Sequence, residues 1–286
     1  MLRGARTRVS IMVEWDGTPC DAMIALHARR SGDSAFRFKQ AFPGRPLVVA
    51  LTGTDLYRDL PGSAEARRSL RIADRVIVLQ EDALRVVGKD IRSKTRVVYQ
   101  SSDARVKRAP PKKRFRVAVV GHLREEKDPF RAAFALSHVE APIEVVQVGD
   151  ALAPEMAEQA REIMAREPRY RWVGGCAHAR ALGWIARSHL LVVSSVMEGG
   201  ANVICEAARI GTPVLASRVS GNIGMLGKKY RGYYKLFDEQ GLARLMREYQ
   251  GEKQRRNLGK ELAARRHLFA PAAEKRALRA VLRGLL

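Results

Sequence analysis

Cysteine is scarce in this chain. Its 286 residues include three, Cys20, Cys176 and Cys205, which are far apart and form no CxxC pair. That argues against a disulfide framework or a zinc site and suits a reducing, cytoplasmic setting. Long apolar runs are missing too: none reaches the roughly 18 residues that read as a bilayer span. The opening MLRGARTRVSIMVEWDG has no apolar core followed by a small-residue cleavage site, so no signal peptide is read. Aromatics are only 6% of the chain. With no RNP motif and no zinc finger, a base-stacking platform is not expected, and neither is a nucleic-acid partner. Acidic residues are also in deficit, 30 against 52 Lys and Arg, a net charge of +22. That excess suits anionic small substrates, or weak contact with an acidic membrane surface.

What is present reads as globular: 46% of residues are hydrophobic and 29% charged. Short β-branched runs alternate with stretches of helix formers. Candidate strands are residues 9–14, 23–26, 46–51, 75–79 and 96–99, then 115–121, 143–148, 171–173, 190–194 and 213–217. Several are continuous apolar runs, as strands buried on both faces of a parallel sheet are. Candidate helices between them are residues 63–74, 154–167, 177–187 and 201–210. This alternation predicts an α/β fold. Residues 103–116, DARVKRAPPKKRFR, are basic, contain two prolines and lack apolar periodicity, the signature of a linker. The expected division is an N-terminal domain over 1–106, a linker over 107–116, a second domain over 117–270, and a C-terminal helix over 271–286 that packs back towards the first.

The most informative stretch is SSVMEGGANVICEAARIGTPVLAS, residues 194–217. A strand ends at Glu198, and Gly199, Gly200, Ala201 and Asn202 lead into a helix. Glycines let backbone amides approach a ligand closely, and a helix N-terminus favours an anion such as a diphosphate. Glu198 can accept hydrogen bonds from sugar hydroxyls. Glu206 lies about 6 Å further along the helix axis than Asn202, where its carboxylate can take a vicinal diol. Upstream, VAVVGHLREEKDPF ends a strand at Gly121 and continues through His122, Arg124 and Lys127, cations that can face phosphate oxygens. Asp128 and Pro129 are expected to cap the next helix. In the first half, Thr52, Gly53, Thr54 and Asp55 form a hydroxyl-rich turn after a strand, and His27 closes the run IALH. Taken alone, such a turn is an ordinary one, and such a histidine more often packs than reacts.

The 194–217 stretch resembles the E-x7-E signature of family-4 retaining glycosyltransferases, with Glu198 and Glu206 as the two acids and the continuation Glu206, Ala207, Gly211, Pro213, Val214. Residues 121–127 look like that family's diphosphate clamp: Lys127 falls on the clamp lysine, His122 stands where the usual arginine would be, and Arg124 is placed to supply the charge. The resemblance implies a GT-B fold, two Rossmann-like domains facing a cleft, with a UDP-sugar as substrate, no cofactor and no metal. It makes His27, Lys127 and Glu198 catalytic. Gly121, His122, Arg124, Lys127 and Glu198–Asn202 would bind the donor diphosphate and sugar, and Glu206 the ribose. Thr52, Gly53, Thr54 and Asp55 would face the acceptor. The set EWDG, LHARRS, LTGTDLYRDL, GHLREEKDPF and MEGGANV is similar, more narrowly, to selenosugar synthases of selenoneine biosynthesis. That branch implies UDP-N-acetylglucosamine and selenophosphate as partners, with Arg29, Arg30 and Arg58 near the anionic acceptor. Two alternatives stand beside it: ordinary O-glycosyl transfer to a lipid or polysaccharide, and an inactive nucleotide- or nucleic-acid-binding relic. Against the family pattern, the first strand and its glycine-rich loop are expected to be absent, with residues 2–9 reading as the end of a helix entering the second strand.

Overall fold

The computed structural model describes Leu2 and residues 7–286. Residues 3–6, within the expected helix end, lie outside the described residues. The chain divides into two compact units. Unit 1 comprises residues 1–100, 198–200 and 271–286, and unit 2 comprises residues 101–197 and 201–270.

Unit 1 is built on strands β1 (Met23–Leu26), β2 (Leu47–Ala50), β3 (Arg75–Val78) and β4 (Thr95–Val97), all parallel and in the order β1-β2-β3-β4. Successive side chains of a strand point to opposite faces. Leu47 and Val49 therefore join Phe38, Leu70, Val76 and Val78 in one core, while Val48 and Ala50 join Ile77, Val98 and Val281 in another. The helix Pro271–Leu282 covers the second face through Ala277, Leu278, Val281 and Leu282. Burying one such side chain contributes about 2 kcal/mol. The 9–14 run does not form the expected strand. Ile11 and Val13 are 86% and 98% exposed, and no described neighbour pairs with their backbone. The first buried residue among those described is Trp15, whose N–H donates to Ser34 Oγ and whose indole packs edge-on against Phe38 and Phe42.

Unit 2 carries β5 (Phe115–Val120), β6 (Ile143–Val148), β7 (Tyr170–Trp172), β8 (Leu190–Val193), β9 (Val214–Ser217) and β10 (Tyr233–Tyr234). They form one parallel sheet in the order β10-β9-β8-β5-β6-β7. Renumbered within the unit this is the doubly wound order 3-2-1-4-5-6, so the chain reverses its direction of travel between β5 and β8. Both units are Rossmann-like. Among the described residues no helix is long and apolar enough to cross a membrane.

Candidate functional site

In an open parallel sheet, ligands bind outside the carboxyl ends of the strands where the strand order reverses. In unit 2 that point lies beyond Val120 and Val193. The loop after β5 is fixed there by its own backbone. Leu123 is buried and makes a one-residue parallel bridge to Ala151, donating to Asp150 O and accepting from Leu152 N. Because neighbours in an extended segment alternate in direction, His122 and Arg124 are exposed on either side of it. Gly149, at the end of β6, makes room for this loop: a methyl group there would lie 2.1 Å from Gly121 O.

The turn Glu125–Lys127 follows and is tied to the end of β8. Ser194 Oγ donates to Lys127 O at 3.0 Å, and Val196 N donates to Glu126 O at 2.9 Å. The two loops that the sequence singles out therefore meet at the reversal point. Asp128 does not cap a helix. It adopts a left-handed backbone (φ 43°), the next helix starts at Arg131, and the Asp128 carboxylate accepts from Arg131 Nε at 2.8 Å. Proline at 129 disfavours right-handed helix at 128, and aspartate tolerates the left-handed alternative.

Glu206 sits in the helix Asn202–Ile210 with 5% of its surface exposed. Its Oε1 accepts from Asn202 Nδ2 at 3.1 Å and meets His178 Nε2 at 2.7 Å. Burial raises the Glu206 pKa, and the His178 contact partly opposes that rise. His178, at the start of the helix His178–Ala186, was not among the sequence candidates. It is 28 residues from Glu206, and no local pattern announces the pair.

Ala201 stays in unit 2, next to Asn202, and the remaining candidates belong to unit 1. The segment Glu198–Gly200 packs on the turn after β2: a methyl on Gly199 would lie 2.4 Å from Gly53 N, and one on Gly53 would lie 2.6 Å from Gly199 N. The close approach that requires glycine at 53 and 199 is thus made to backbone. Next to this turn, His27 adopts a left-handed backbone, φ 82°. Its Nδ1 accepts from Arg30 N at 3.2 Å, and its Nε2 lies 3.1 Å from Thr54 Oγ1. Asp55, fully buried, accepts from Thr52 N and Thr52 Oγ1 through Oδ2 and places Oδ1 2.5 Å from His27 Nδ1. Burial lowers the His27 pKa and raises that of Asp55, each against the pull of the other. Asp59, absent from the sequence candidates, lies 3.6 Å from His27 Nε2 and pairs with Arg29 and Arg58. Among the described residues, His27, Asp55 and Asp59 bring potential metal-ligand atoms within 4.8 Å of one another.

Residues 100–264 match the family model for glycosyl transferases group 1. The chain belongs to that family. The chain shares its fold with solved structures at low identity. Anabaena Alr3699/HepE in complex with UDP and glucose aligns at a TM-score of 0.75 and 19% identity, covering 92% of this chain and 77% of that one. Sucrose-phosphate synthase from Thermosynechococcus elongatus aligns at 0.77 and 20%, covering 93% and 73%. The lipopolysaccharide outer core galactosyltransferase WaaB in its apo form aligns at 0.69 and 17%, covering 93% and 76%. No curated protein matches this group 1 chain. The likeness is to GT-B glycosyltransferases, and none of these relatives points to the selenosugar branch.

Proposed function

We propose that the chain transfers a sugar from a UDP-sugar with retention at the anomeric carbon, and that no metal is needed on the diphosphate. The observation that carries this reading is the meeting of the Gly121–Lys127 loop with the end of β8 at the reversal point of the unit 2 sheet. HepE, a structural neighbour, is described in complex with UDP and with UDP-glucose, which supports a uridine nucleotide as the donor's leaving group. Lys127 and Arg124, with the amides of Gly199–Asn202, stabilise the charge that develops on UDP as the bond from C1 to the phosphate oxygen breaks. Glu198 takes sugar hydroxyls, and Glu206 takes the ribose diol. His27, Thr52, Gly53, Thr54 and Asp55 serve the acceptor.

The acceptor in this reading is selenophosphate and the donor UDP-N-acetylglucosamine. The selenium lone pair forms the new bond to C1, and UDP leaves with the electron pair of the broken one. The short motifs EWDG, LHARRS, LTGTDLYRDL, GHLREEKDPF and MEGGANV support this choice. A soft, already anionic nucleophile needs little general-base help.

Two measurements test the two levels. Calorimetry should show that Glu206→Ala and Lys127→Ala each weaken UDP binding by about tenfold or more, the worth of a hydrogen bond to a charged group. Unchanged affinity in both removes the donor site. Mass spectrometry of UDP-N-acetylglucosamine incubated with selenophosphate, thiophosphate or phosphate should show a selenium-containing sugar. Absence of that product with UDP binding intact removes the acceptor and leaves the donor site standing.

A further inference from the structure

We propose that Arg108, Arg116, Arg255 and His189 form an oxyanion site, suited to a phosphate group, at the amino ends of the unit 2 strands. The proposed donor site lies at the carboxyl ends of the same sheet. Failure of the sugar-transfer reading therefore leaves this inference standing.

The first observation is convergence. Arg116 is the second residue of β5, and His189 immediately precedes β8. Arg108 comes from the chain before β5, and Arg255 from the helix Glu252–Arg265. Arg108 Nη2 donates to His189 O at 3.3 Å, and Arg116 N donates to His189 Nδ1 at 3.1 Å. The Phe115 ring stacks with the His189 ring at 4.6 Å, and the Arg255 guanidinium lies over Phe115 at 5.3 Å. Segments far apart in sequence thus bring three guanidiniums to one imidazole. His189 registers their field. Burial first, then Arg255, Arg108 and Arg116, push its pKa down to about 4.

The second is charge that the fold leaves uncompensated. Glu144 is shared between Arg116 at 3.0 Å and Arg171 at 3.5 Å. Glu252 pairs with Arg256 at 2.6 Å and only opposes the burial that lowers the Arg255 pKa. Arg108 makes no ion pair among the described residues. Its pKa is lowered by burial and then by Arg255, a like charge.

The third is a set of unspent donors. Arg108 Nε is buried and has no hydrogen-bond partner. A buried donor left unmade is costly, the more so on a charged group. Arg255 is held in place through one nitrogen, Nη1, which donates to Tyr249 O at 3.0 Å and Gln250 O at 2.6 Å. In the neutral His189 ring, Nδ1 accepts from Arg116, so the proton sits on Nε2, a further donor. Phosphate presents several acceptor oxygens around one centre and matches the guanidinium fork. One such group would take these donors and offset the repulsion among the arginines together.

The test uses the full chain, saturated with UDP and titrated calorimetrically with inorganic phosphate at low ionic strength. One equivalent should bind. Arg108→Gln and Arg255→Gln should each weaken binding by about tenfold or more, the worth of a charged hydrogen bond. Lys253→Gln removes the same charge from the same helix as Arg255 and should leave binding unchanged. In the wild-type protein the His189 imidazole resonance should shift with the same midpoint as the heat. Flotation with phosphatidylcholine vesicles containing phosphatidic acid separates two sources of the phosphate. Flotation lost in both arginine variants supports a lipid headgroup, and phosphate binding without flotation supports a free anion. Binding to neither probe overturns the site, as does an affinity that falls equally in Lys253→Gln. Should an arginine variant lose its far-ultraviolet circular dichroism, the wild-type resonance decides: a His189 signal that stays put while phosphate binds overturns the site. UDP affinity that falls in parallel in the arginine variants would place the phosphate in the donor site and overturn this one.

Discussion

In the proposed donor site, one buried carboxyl, Glu206, makes UDP binding depend on pH. Its surroundings favour the protonated form, because burial outweighs the help from His178, and its pKa lies above the ordinary 4.5. Accepting two ribose hydroxyls requires the ionised form. UDP affinity should therefore fall as pH is lowered, with a midpoint above 4.5 rather than at it. The direction for stability is opposite: an acid whose pKa is raised on folding contributes stability at low pH that is lost as pH rises through the folded value. His178 lowers the Glu206 pKa through its hydrogen bond, so His178→Ala should move the binding midpoint further up. Calorimetric titration of UDP across pH 4–8 reads both effects. A midpoint that stays put in the variant would remove His178 from the account. Neither His178 nor Asp59 was legible in the sequence. Glu206 was, because its acid follows a glycine-rich turn at fixed spacing in one continuous segment. Its partner comes from another helix, and only folding joins them.

At the scale of elements, legibility followed burial. β1 and β6 have the limits read from the sequence, and β2 and β8, buried at every position, are the continuous apolar runs that strands covered on both faces show. The same reasoning failed for residues 9–14, which are as apolar but have no described strand beside them. β10, at two residues, is too short to show a period, and helices such as Gly32–Ala41, with its polar composition, gave no clear stripe. The loop after β5 depends on a third kind of information, the absence of a side chain at Gly149. Alanine there would press a methyl group into Gly121 O while holding a backbone of φ 147°. Gly149→Ala should cost about 2–3 kcal/mol, read as a fall in the denaturant midpoint at constant slope, and should weaken UDP binding by shifting residues 121–127. Gly211→Ala is the control. It also has positive φ, 91°, but its methyl would meet nothing within 4 Å. It should cost about 1 kcal/mol and leave UDP affinity unchanged. If both variants lose affinity equally, general destabilisation explains the result and the loop argument fails.

Across the whole molecule the dominant quantity is the net charge of +22. Many acids are already committed to local pairs, as in Arg131 with Asp128 and Glu239, Arg169 with Glu167, and Arg116 with Glu144. The cationic surplus therefore produces a long-range positive potential. Such a potential raises the rate at which an anion arrives more than it changes the rate at which it leaves. Salt screens it over about 10 Å at 0.1 M and about 3 Å at 1 M. In stopped-flow mixing, the association rate constant for UDP should fall several-fold between about 0.05 and 0.5 M salt, while the dissociation rate constant changes much less. Uridine, which carries the same base and ribose without charge, should show no such dependence. If salt acted on dissociation instead, the charge would be working through direct contacts such as Lys127 and Arg124. If uridine slowed as much as UDP, salt would be changing the protein itself, and steering by the surplus charge would be ruled out.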